Sequence, residues 1–288
     1  MSSGSRASPV RPCPAARTCK GRLLYPVAAL LVIAYVNTFE LWALLVHSVG
    51  AEQAALVPFA TLAAGLGLTC WWIVLRRGTI RMHPVLLIMA LALAVLGLAL
   101  TDPAYPAKRI HVPQYLLLAL VLRRALSDHV GGAALNAATI VVTLIFGVHD
   151  EMLQGLHPSR TYGLRDILVN TTAGASGALL AAGIGLWRGP SGPLHLHLGI
   201  GAALAAQAAA LIFLVMTLMS YVGVNPIDAP PPALAGAPLV LGGIALMALF
   251  RSGSPSPGAR HVCMVIAWIT LPLALYPVIP HVTPLVFH

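Results

Sequence analysis

Long apolar runs fill most of this chain and constrain its fold more than any other feature. Nine of them follow one another with short polar breaks, over residues 23–47, 55–75, 83–101, 110–122, 133–153, 164–187, 198–222, 233–250 and 262–279. A helix needs about 20 apolar residues to cross the hydrocarbon core of a bilayer. The shortest run, 110–122, reaches that length only with the residues that precede it. We therefore predict an all-α, polytopic membrane protein with about nine transmembrane helices.

The composition excludes most other classes of protein. Of the 288 residues, 58% are hydrophobic and 9% are charged, and the mean hydropathy is +0.86. A soluble domain carries about 25% charged residues, so this chain is too poor in charge for a soluble enzyme or a disordered protein. The formal net charge of +9 does not indicate a nucleic-acid partner, because the basic residues lie between apolar runs. We predict a multi-pass protein of the plasma membrane.

The distribution of basic residues predicts the orientation. If the N-terminus is inside, 13 of the 17 Lys and Arg residues lie on the cytoplasmic side, as the positive-inside rule requires. This predicts nine spans with the N-terminus in and the C-terminus out. The four exceptions all flank the fourth to sixth runs on the outer side: Lys108, Arg109, Arg160 and Arg165.

The chain divides into four parts by its polar residues. Residues 1–22 are rich in Ser, Pro and Arg and predict a disordered cytoplasmic tail. Residues 23–82 contain two transmembrane helices, and 83–188 contain a core of four helices that carry polar faces. Residues 189–288 contain three further transmembrane helices.

Three consecutive predicted helices each present one polar face. A helix places residues three, four or seven positions apart on the same side. By this spacing the polar faces of the fourth, fifth and sixth runs comprise Lys108, His111 and Tyr115, then Asn136, Thr139, Thr143, Asp150 and Gln154, then Asp166, Asn170, Gly174 and Gly177. Glu151 lies at the edge of the second face. We expect these faces to converge, because a charge at mid-bilayer costs about 2.5–3.5 kcal/mol when it faces lipid.

The charged members of this group are nearly balanced. The basic residues Lys108, Arg160 and Arg165 accompany the acidic residues Asp150, Glu151 and Asp166. Two interpretations remain open, a pocket that binds a ligand and a network of ion pairs that only holds the helices in register.

The same residues carry a resemblance to the VanZ-like family. Lys108, His111 and Tyr115 form K-x-x-H-x-x-x-Y, and Asp150, Glu151 and Gln154 form D-E-x-x-Q. The pattern continues as P-x-R-x5-D-x3-N-x3-G-x2-G, formed by Pro158, Arg160, Asp166, Asn170, Gly174 and Gly177. The similarity covers roughly residues 83–188. The chain departs from the family pattern at Ala107, where an acidic residue is frequent, and at Val112, where an aromatic residue is frequent.

The resemblance implies a multi-spanning protein of the bacterial cell envelope. The founding member of the family is linked to low-level resistance to the glycopeptide teicoplanin. The predicted orientation puts the polar residues at the outer leaflet, where lipid-linked wall precursors present their headgroups. The expected partner is therefore a membrane lipid or a lipid-linked envelope precursor.

Three functions remain open at this point. In the first, Lys108, His111, Tyr115, Asp150, Glu151, Gln154, Arg160, Asp166 and Asn170 bind a lipid-linked or anionic headgroup. In the second, the protein is an intramembrane hydrolase or transferase of a lipid-linked substrate, with Asp150 or Glu151 as general base and His111 as acid or second base. The third is a transporter.

No cofactor or metal is expected from the sequence. Its four Cys residues form no metal-binding spacing, and His195 and His197 have no third ligand near them in the sequence.

Overall fold

The structure, a computed structural model, describes residues 21–76, 82–158, 160–190, 198–224, 228–252 and 256–288. Every regular element in these ranges is a helix. The α-helices are α1 (Leu24–Val36), α2 (Thr38–Val49), α3 (Ala51–Leu75), α4 (Pro84–Leu100), α5 (His111–Leu126), α6 (Gly132–Gly155), α7 (Leu164–Gly183), α8 (Leu198–Leu218), α9 (Pro232–Ser252), α10 (Pro257–Thr270) and α11 (Ile279–Val282). Short 3-10 helices cover Pro106–Ile110, Met219–Tyr221 and Leu271–Leu275. The tail predicted over 1–22 lies outside the described residues except for its last two positions.

Several helices are long and apolar enough to span a membrane. Within the described ranges there are five such segments, or six when α1 and α2 count as one bent span. The segments are Ala51–Leu75, Gly132–Gly155, Ile200–Tyr221, Pro232–Leu249 and Pro257–Leu275. The all-α prediction is confirmed, and these segments agree with a membrane protein. By length and hydropathy, the described residues contain fewer candidate spans than the nine that the sequence predicts.

The shortfall has a physical reason in the middle of the chain. Helix α4 has 17 residues and α5 has 16, which is short for a full crossing. Helix α7 has 20 residues but carries Arg165, Asp166 and Asn170 in its first half, so its sequence is less apolar than a typical span.

Helix α7 packs against α4, α5 and α6 in the middle of the molecule. Small residues let these helices approach closely, as is common in membrane bundles. A Cβ added at Gly174 would lie 2.5 Å from the Thr143 side chain on α6, and one at Gly177 would lie 2.6 Å from the Leu116 carbonyl oxygen on α5. The Ser176 hydroxyl donates to the Ala90 carbonyl on α4 at 2.7 Å. The sequence therefore brings the polar faces of α5, α6 and α7 against one another.

The first predicted span, 23–47, is broken. Helix α1 ends at Val36 and α2 begins at Thr38, and the two axes differ by 49°. Side-chain donors accompany the break. The Asn37 amide donates to the Ile33 carbonyl at 2.8 Å, and the Thr38 hydroxyl, at the start of α2, donates to the Ala34 carbonyl of α1 at 3.3 Å. Such back-bonding side chains frequently bend helices.

The break changes the hydrogen bonding of one carbonyl group. In a continuous helix the Glu40 N–H would donate to the Val36 oxygen, four residues earlier. It instead donates to the Asn37 oxygen at 3.2 Å. The Val36 carbonyl is therefore available to a group outside its own helix.

The C-terminal helices are joined to α6 by polar contacts. One ring nitrogen of His149 lies 2.7 Å from the Ile269 carbonyl oxygen at the end of α10, and the other lies 3.2 Å from the Tyr276 hydroxyl. The α8, α9 and α10 helices pack beside one another in chain order. These contacts hold the C-terminal region against the polar core.

Residues 283–288 return to the end of α6. The His288 N–H donates to the Gly155 carbonyl, and the Tyr162 N–H donates to the His288 carbonyl, both at 2.7 Å. The Phe287 ring is buried against Gly155 and lies 5.3 Å from the Tyr162 ring. This segment therefore covers one side of the loop between α6 and α7.

Candidate functional site

The nine site residues predicted from the sequence lie at one end of the bundle, here called the Lys108 end. Chain direction explains this, because α5 begins, α6 ends and α7 begins at that end. All nine residues except Lys108 are buried. The expected convergence of the polar faces at this end is therefore found.

Lys108 and Asp166 form an ion pair. The Lys108 ammonium donates to Oδ2 of Asp166, and the two side chains are 21% and 4% exposed. This bond joins the segment before α5 to the first turn of α7. Asp166 is thereby neutralised by Lys108, whereas Asp150 and Glu151 have other neighbours.

Arg160 links the loop between α6 and α7 to two other elements. Its guanidinium donates to the Gln154 amide oxygen and, at 3.3 Å, to the Val36 carbonyl that the helix break leaves available. The guanidinium carbon also lies 3.5 Å from the centre of the Phe39 ring, in a cation–π contact. Burial lowers the pKa of Arg160, and the nearby carboxylates of Asp150, Glu151 and Asp166 oppose this shift.

Glu151 is fully buried but has hydrogen-bond donors on both sides. Its Oε1 accepts from the Gln154 amide at 3.1 Å, and its Oε2 accepts from the Gly163 N–H at 3.3 Å. Gly163 caps the N-terminus of α7, where the helix dipole favours a negative charge. Glu151 is therefore joined to Arg160 through Gln154.

Four further side chains are fully buried with unmet hydrogen-bonding capacity. No hydrogen bond of normal geometry reaches the two ring nitrogens of His111, the Tyr115 hydroxyl, either Asp150 oxygen or the Asn170 amide from the residues that the structure describes. The shortest contact between His111 and Asp150 is 3.7 Å, too long for a good hydrogen bond. Most buried polar groups in proteins have a partner, and an unmet group is a candidate for function.

These four side chains belong to one group, here called the buried tetrad. An added Cβ at Gly147 would lie 3.1 Å from Asn170 and 3.4 Å from the Tyr115 ring, so both residues lie against the α6 backbone at this position. The His111 and Tyr115 ring centres are 6.3 Å apart. The glycine thus removes the side chain that would otherwise separate α5 from α7.

The site holds more carboxylates than cations. Asp150, Glu151 and Asp166 face Lys108 and Arg160, so ionisation of all five groups leaves one negative charge in excess. Asp150 is the carboxylate without a Lys or Arg contact among the described residues. The unmet atoms can accept hydrogen bonds from a ligand or donate hydrogen bonds to it.

Arg165 does not join the site as the sequence predicted. Its guanidinium donates to the carbonyl groups of Leu100 and Thr101 and lies 3.8 Å from the Asp102 carboxylate. The side chain is about half exposed. It points away because it lies next to Asp166 on α7, about 100° further round the helix. Arg165 therefore holds the end of α4.

Sequence reasoning missed the contribution of the first span. Tyr35 donates to the Gln114 carbonyl at 2.9 Å, and its ring centre is 5.9 Å from that of Tyr115. Phe39 covers Arg160 from the other side of the break. The available signal was two aromatic residues four positions apart around a polar Asn37.

Asn136 belongs to a second polar cluster at the opposite end of the bundle. It accepts from the Arg123 guanidinium at 2.6 Å, and Arg123 also donates to the carbonyls of Leu186 at 3.1 Å and Ala178 at 3.4 Å. Arg123 is buried, whereas its position in the sequence predicted a loop residue. This cluster joins α5, α6 and α7 away from the tetrad.

The structure contains no candidate metal site within its described ranges, by the criterion of three or more close His, Cys, Asp or Glu side chains. His195 and His197 lie outside those ranges.

Comparisons with family models, with curated proteins and with solved structures gave no match to this chain. The geometry of the site is therefore the basis for the functional argument.

Proposed function

We propose that this chain is a VanZ-like membrane protein of the bacterial cell envelope that binds the polar headgroup of a membrane lipid or lipid-linked precursor. The observation that carries the proposal is the buried tetrad of His111, Tyr115, Asp150 and Asn170, whose polar atoms lack partners. Each such group costs about 1–3 kcal/mol of stability. A binding role explains why the fold retains them, because a headgroup supplies the missing hydrogen bonds.

The proposal includes nine spans with the N-terminus inside, which places the Lys108 end of the bundle at the outer leaflet. The charge distribution supports this orientation. A thiol test uses the exposed positions Thr161, at the Lys108 end, and Pro190, at the other end. On a background without the native cysteines, we expect an impermeant reagent to label Thr161→Cys but not Pro190→Cys in intact cells. The reverse pattern would refute the orientation.

The resemblance to the VanZ-like family supports a role in glycopeptide resistance. We expect expression in a susceptible Gram-positive host to reduce sensitivity to teicoplanin more than to a glycopeptide without a lipid tail. Glu151→Gln and Arg160→Ala should abolish protection, because they remove the charges that organise the site. Glu52→Gln is the matched control, since Glu52 is exposed at the start of α3.

Two results would contradict this role. Unchanged sensitivity on expression of the unmodified protein would remove the link to glycopeptides. Full protection by both site variants, at equal membrane abundance, would place the protective activity outside the site.

A second candidate function is an intramembrane hydrolase or transferase of a lipid-linked substrate. The Asp150–His111 contact at 3.7 Å favours it, since a carboxylate and an imidazole at this distance can activate a water molecule after a small movement. Incubation of the purified protein with a radiolabelled lipid-linked precursor would test it. Release of the headgroup that is lost in His111→Gln supports an enzyme, and retention of intact precursor supports binding alone.

A further inference from the structure

We infer that the site binds a primary ammonium group, of the kind carried by the headgroup of an amino lipid, with Asp150 as its anionic partner. The inference rests on the proposed function, because it assumes that the site binds a headgroup. It adds the chemical class of the recognised group and the residue that recognises it.

The cations of the site are already engaged. Lys108 is paired with Asp166. Arg160 donates to Gln154 and to the Val36 carbonyl while stacking on an aromatic ring. Binding of a phosphate requires donors that are free to turn toward it, and Arg and Lys supply them elsewhere. Here a phosphate would first have to displace a protein partner of each cation.

The other basic residues near this end are also turned elsewhere. Arg165 donates to the carbonyls at the end of α4, and the Arg109 guanidinium carbon lies 5.7 Å from the centre of the Phe59 ring on α3. Neither contact directs a guanidinium toward the buried tetrad. The outer-side basic residues therefore do not form the anion-binding rim that their positions in the sequence suggested.

Asp150 has the opposite requirement. Its carboxylate is fully buried, a His111 nitrogen lies 3.7 Å from it, and no Lys or Arg of the described residues lies within ion-pair distance of it. A buried carboxylate without a paired cation is costly, and it is stabilised by a cation that also donates hydrogen bonds.

The unmet acceptor atoms of the neutral tetrad members suit the same ligand. A primary ammonium has three N–H donors and no acceptor. Asp150 takes one or two of these donors, and the unmet Asn170 oxygen and Tyr115 hydroxyl take the remainder. The rings of Tyr35 and Tyr115, with centres 5.9 Å apart, add surfaces that favour a cation. A quaternary ammonium offers the charge without donors, and a phosphate offers acceptors of the wrong sign.

Entry to the tetrad requires movement of the α1–α2 break. The four side chains are at most 1% exposed, so the site is closed in this structure. The cover is held by the Phe39–Arg160 stack and by the Gln114 amide, which donates to the Thr38 hydroxyl at 2.8 Å. Helix α2 has no buried residue, so its displacement exposes little additional apolar surface of its own.

Lipid competition tests the inference directly. Purified full-length protein in detergent is mixed with equal amounts of phosphatidylethanolamine, phosphatidylcholine and phosphatidylglycerol with the same acyl chains, and retained lipid is counted by native mass spectrometry. We expect phosphatidylethanolamine to be retained about tenfold over phosphatidylcholine, equivalent to about 1.4 kcal/mol. Retention should decline stepwise as the amine is methylated once and twice, because each methyl group removes a donor. Free ethanolamine in a parallel sample distinguishes a lipid-borne amine from a soluble one.

Variants assign the recognition to Asp150. Asp150→Asn, which keeps the size and removes the charge, should reduce phosphatidylethanolamine retention to the phosphatidylcholine level. Asp102→Asn is the matched control, because Asp102 is a partly exposed acid at the same end of the bundle and lies near Arg165 rather than the tetrad. If Asp150→Asn does not fold, the methylation series in the unmodified protein tests whether the site recognises the N–H donors of the ammonium group.

The outcomes separate the inference from the proposed function. Preferred retention of phosphatidylglycerol that is lost in Arg160→Ala overturns the ammonium inference and leaves headgroup binding in place. Phosphatidylethanolamine retention that Asp150→Asn does not change also overturns the inference, since the amine is then held elsewhere. Equal retention of all three lipids, with protection against teicoplanin absent, overturns both.

Discussion

Replacement of Gly177 by alanine tests the packing that brings the site together. Gly177 lies on α7 where this helix crosses α5, and an added Cβ would lie 2.6 Å from the Leu116 carbonyl oxygen and 3.0 Å from the Ala119 Cβ. The nearest obstacle is backbone, which cannot move aside by changing a rotamer. Ordinary contact begins at 3.4 Å, so the two helices would have to part by about 0.8 Å.

The expected cost follows from overpacking in a well-packed interior, which is about 1–3 kcal/mol. In a domain of 150–250 residues each kcal/mol lowers the melting temperature by about 2–4 °C, so Gly177→Ala should melt about 2–12 °C below a control that gains the helix preference of alanine without the close contact. Gly67→Ala on α3 is the matched control, because nothing lies within 4 Å of its added Cβ. The control should be neutral or slightly stabilising, since alanine favours a helix by about 1 kcal/mol over glycine.

The assay is thermal unfolding in detergent, followed by intrinsic fluorescence and by loss of monodisperse protein. Both variants are prepared in the same detergent and lipid. A Gly177→Ala protein that melts with the unmodified protein would refute the close α5–α7 approach. Equal destabilisation by the Gly67→Ala control would show that the effect arises from alanine in the helix rather than from the crossing.

Three further predictions concern the contacts around the site and at the opposite end of the bundle. Phe287→Ala should lower the free energy of unfolding by about 3–5 kcal/mol, because it leaves a cavity where the buried ring lay. An unchanged midpoint in detergent melting experiments would argue against that buried contact. Lys108→Met should lower the free energy of unfolding by about 3–5 kcal/mol, because it leaves buried Asp166 without its cation. A double variant that exchanges the two charges should recover part of this loss. No recovery would argue against direct pairing. Burial lowers the pKa of His129 from 6.5, so the unfolded chain takes up the proton first and stability should fall as the pH drops below 6.5 toward the folded-state value. His129→Phe should make the melting temperature depend less on pH, whereas His47→Phe should not. The same pH dependence in both variants would refute the assignment of this effect to His129.

Helical periodicity was sufficient to predict which residues of the three central helices share the site. This prediction succeeds because consecutive helices run antiparallel, so the end of one helix and the start of the next lie on the same side of the bundle. Lys108, Asp150 and Asp166 must therefore lie at one end. The pairing within the site could not be predicted in the same way. Lys108 contacts Asp166 rather than Asp150 because pairing depends on the depth and rotation of each helix, and these are set by close approaches such as that at Gly147.

The break near Asn37 was the largest feature that the sequence did not predict. Both flanking segments are apolar and helical, and a single Asn within such a run is compatible with a continuous span. The break becomes informative only in three dimensions, where the Val36 carbonyl accepts from Arg160 and Phe39 covers the same guanidinium. Non-helical backbone in a membrane protein is tolerated where it is buried in protein or lines a polar site, and here the Val36 carbonyl lies against the polar site.

The two polar clusters of the bundle give an internal comparison between structural and functional networks. At one end, Arg123 is buried with the Asn136 side chain and two backbone carbonyls as acceptors. Its Nε and Nη1 therefore have partners, and the cluster ties three helices together. At the Lys108 end the same three helices bury Asp150 and Asn170 with their side-chain atoms unmet. A network that only fixed helix register would gain by satisfying these atoms, as the Arg123 cluster does. The unmet atoms therefore favour a site that is completed by a group from outside the chain.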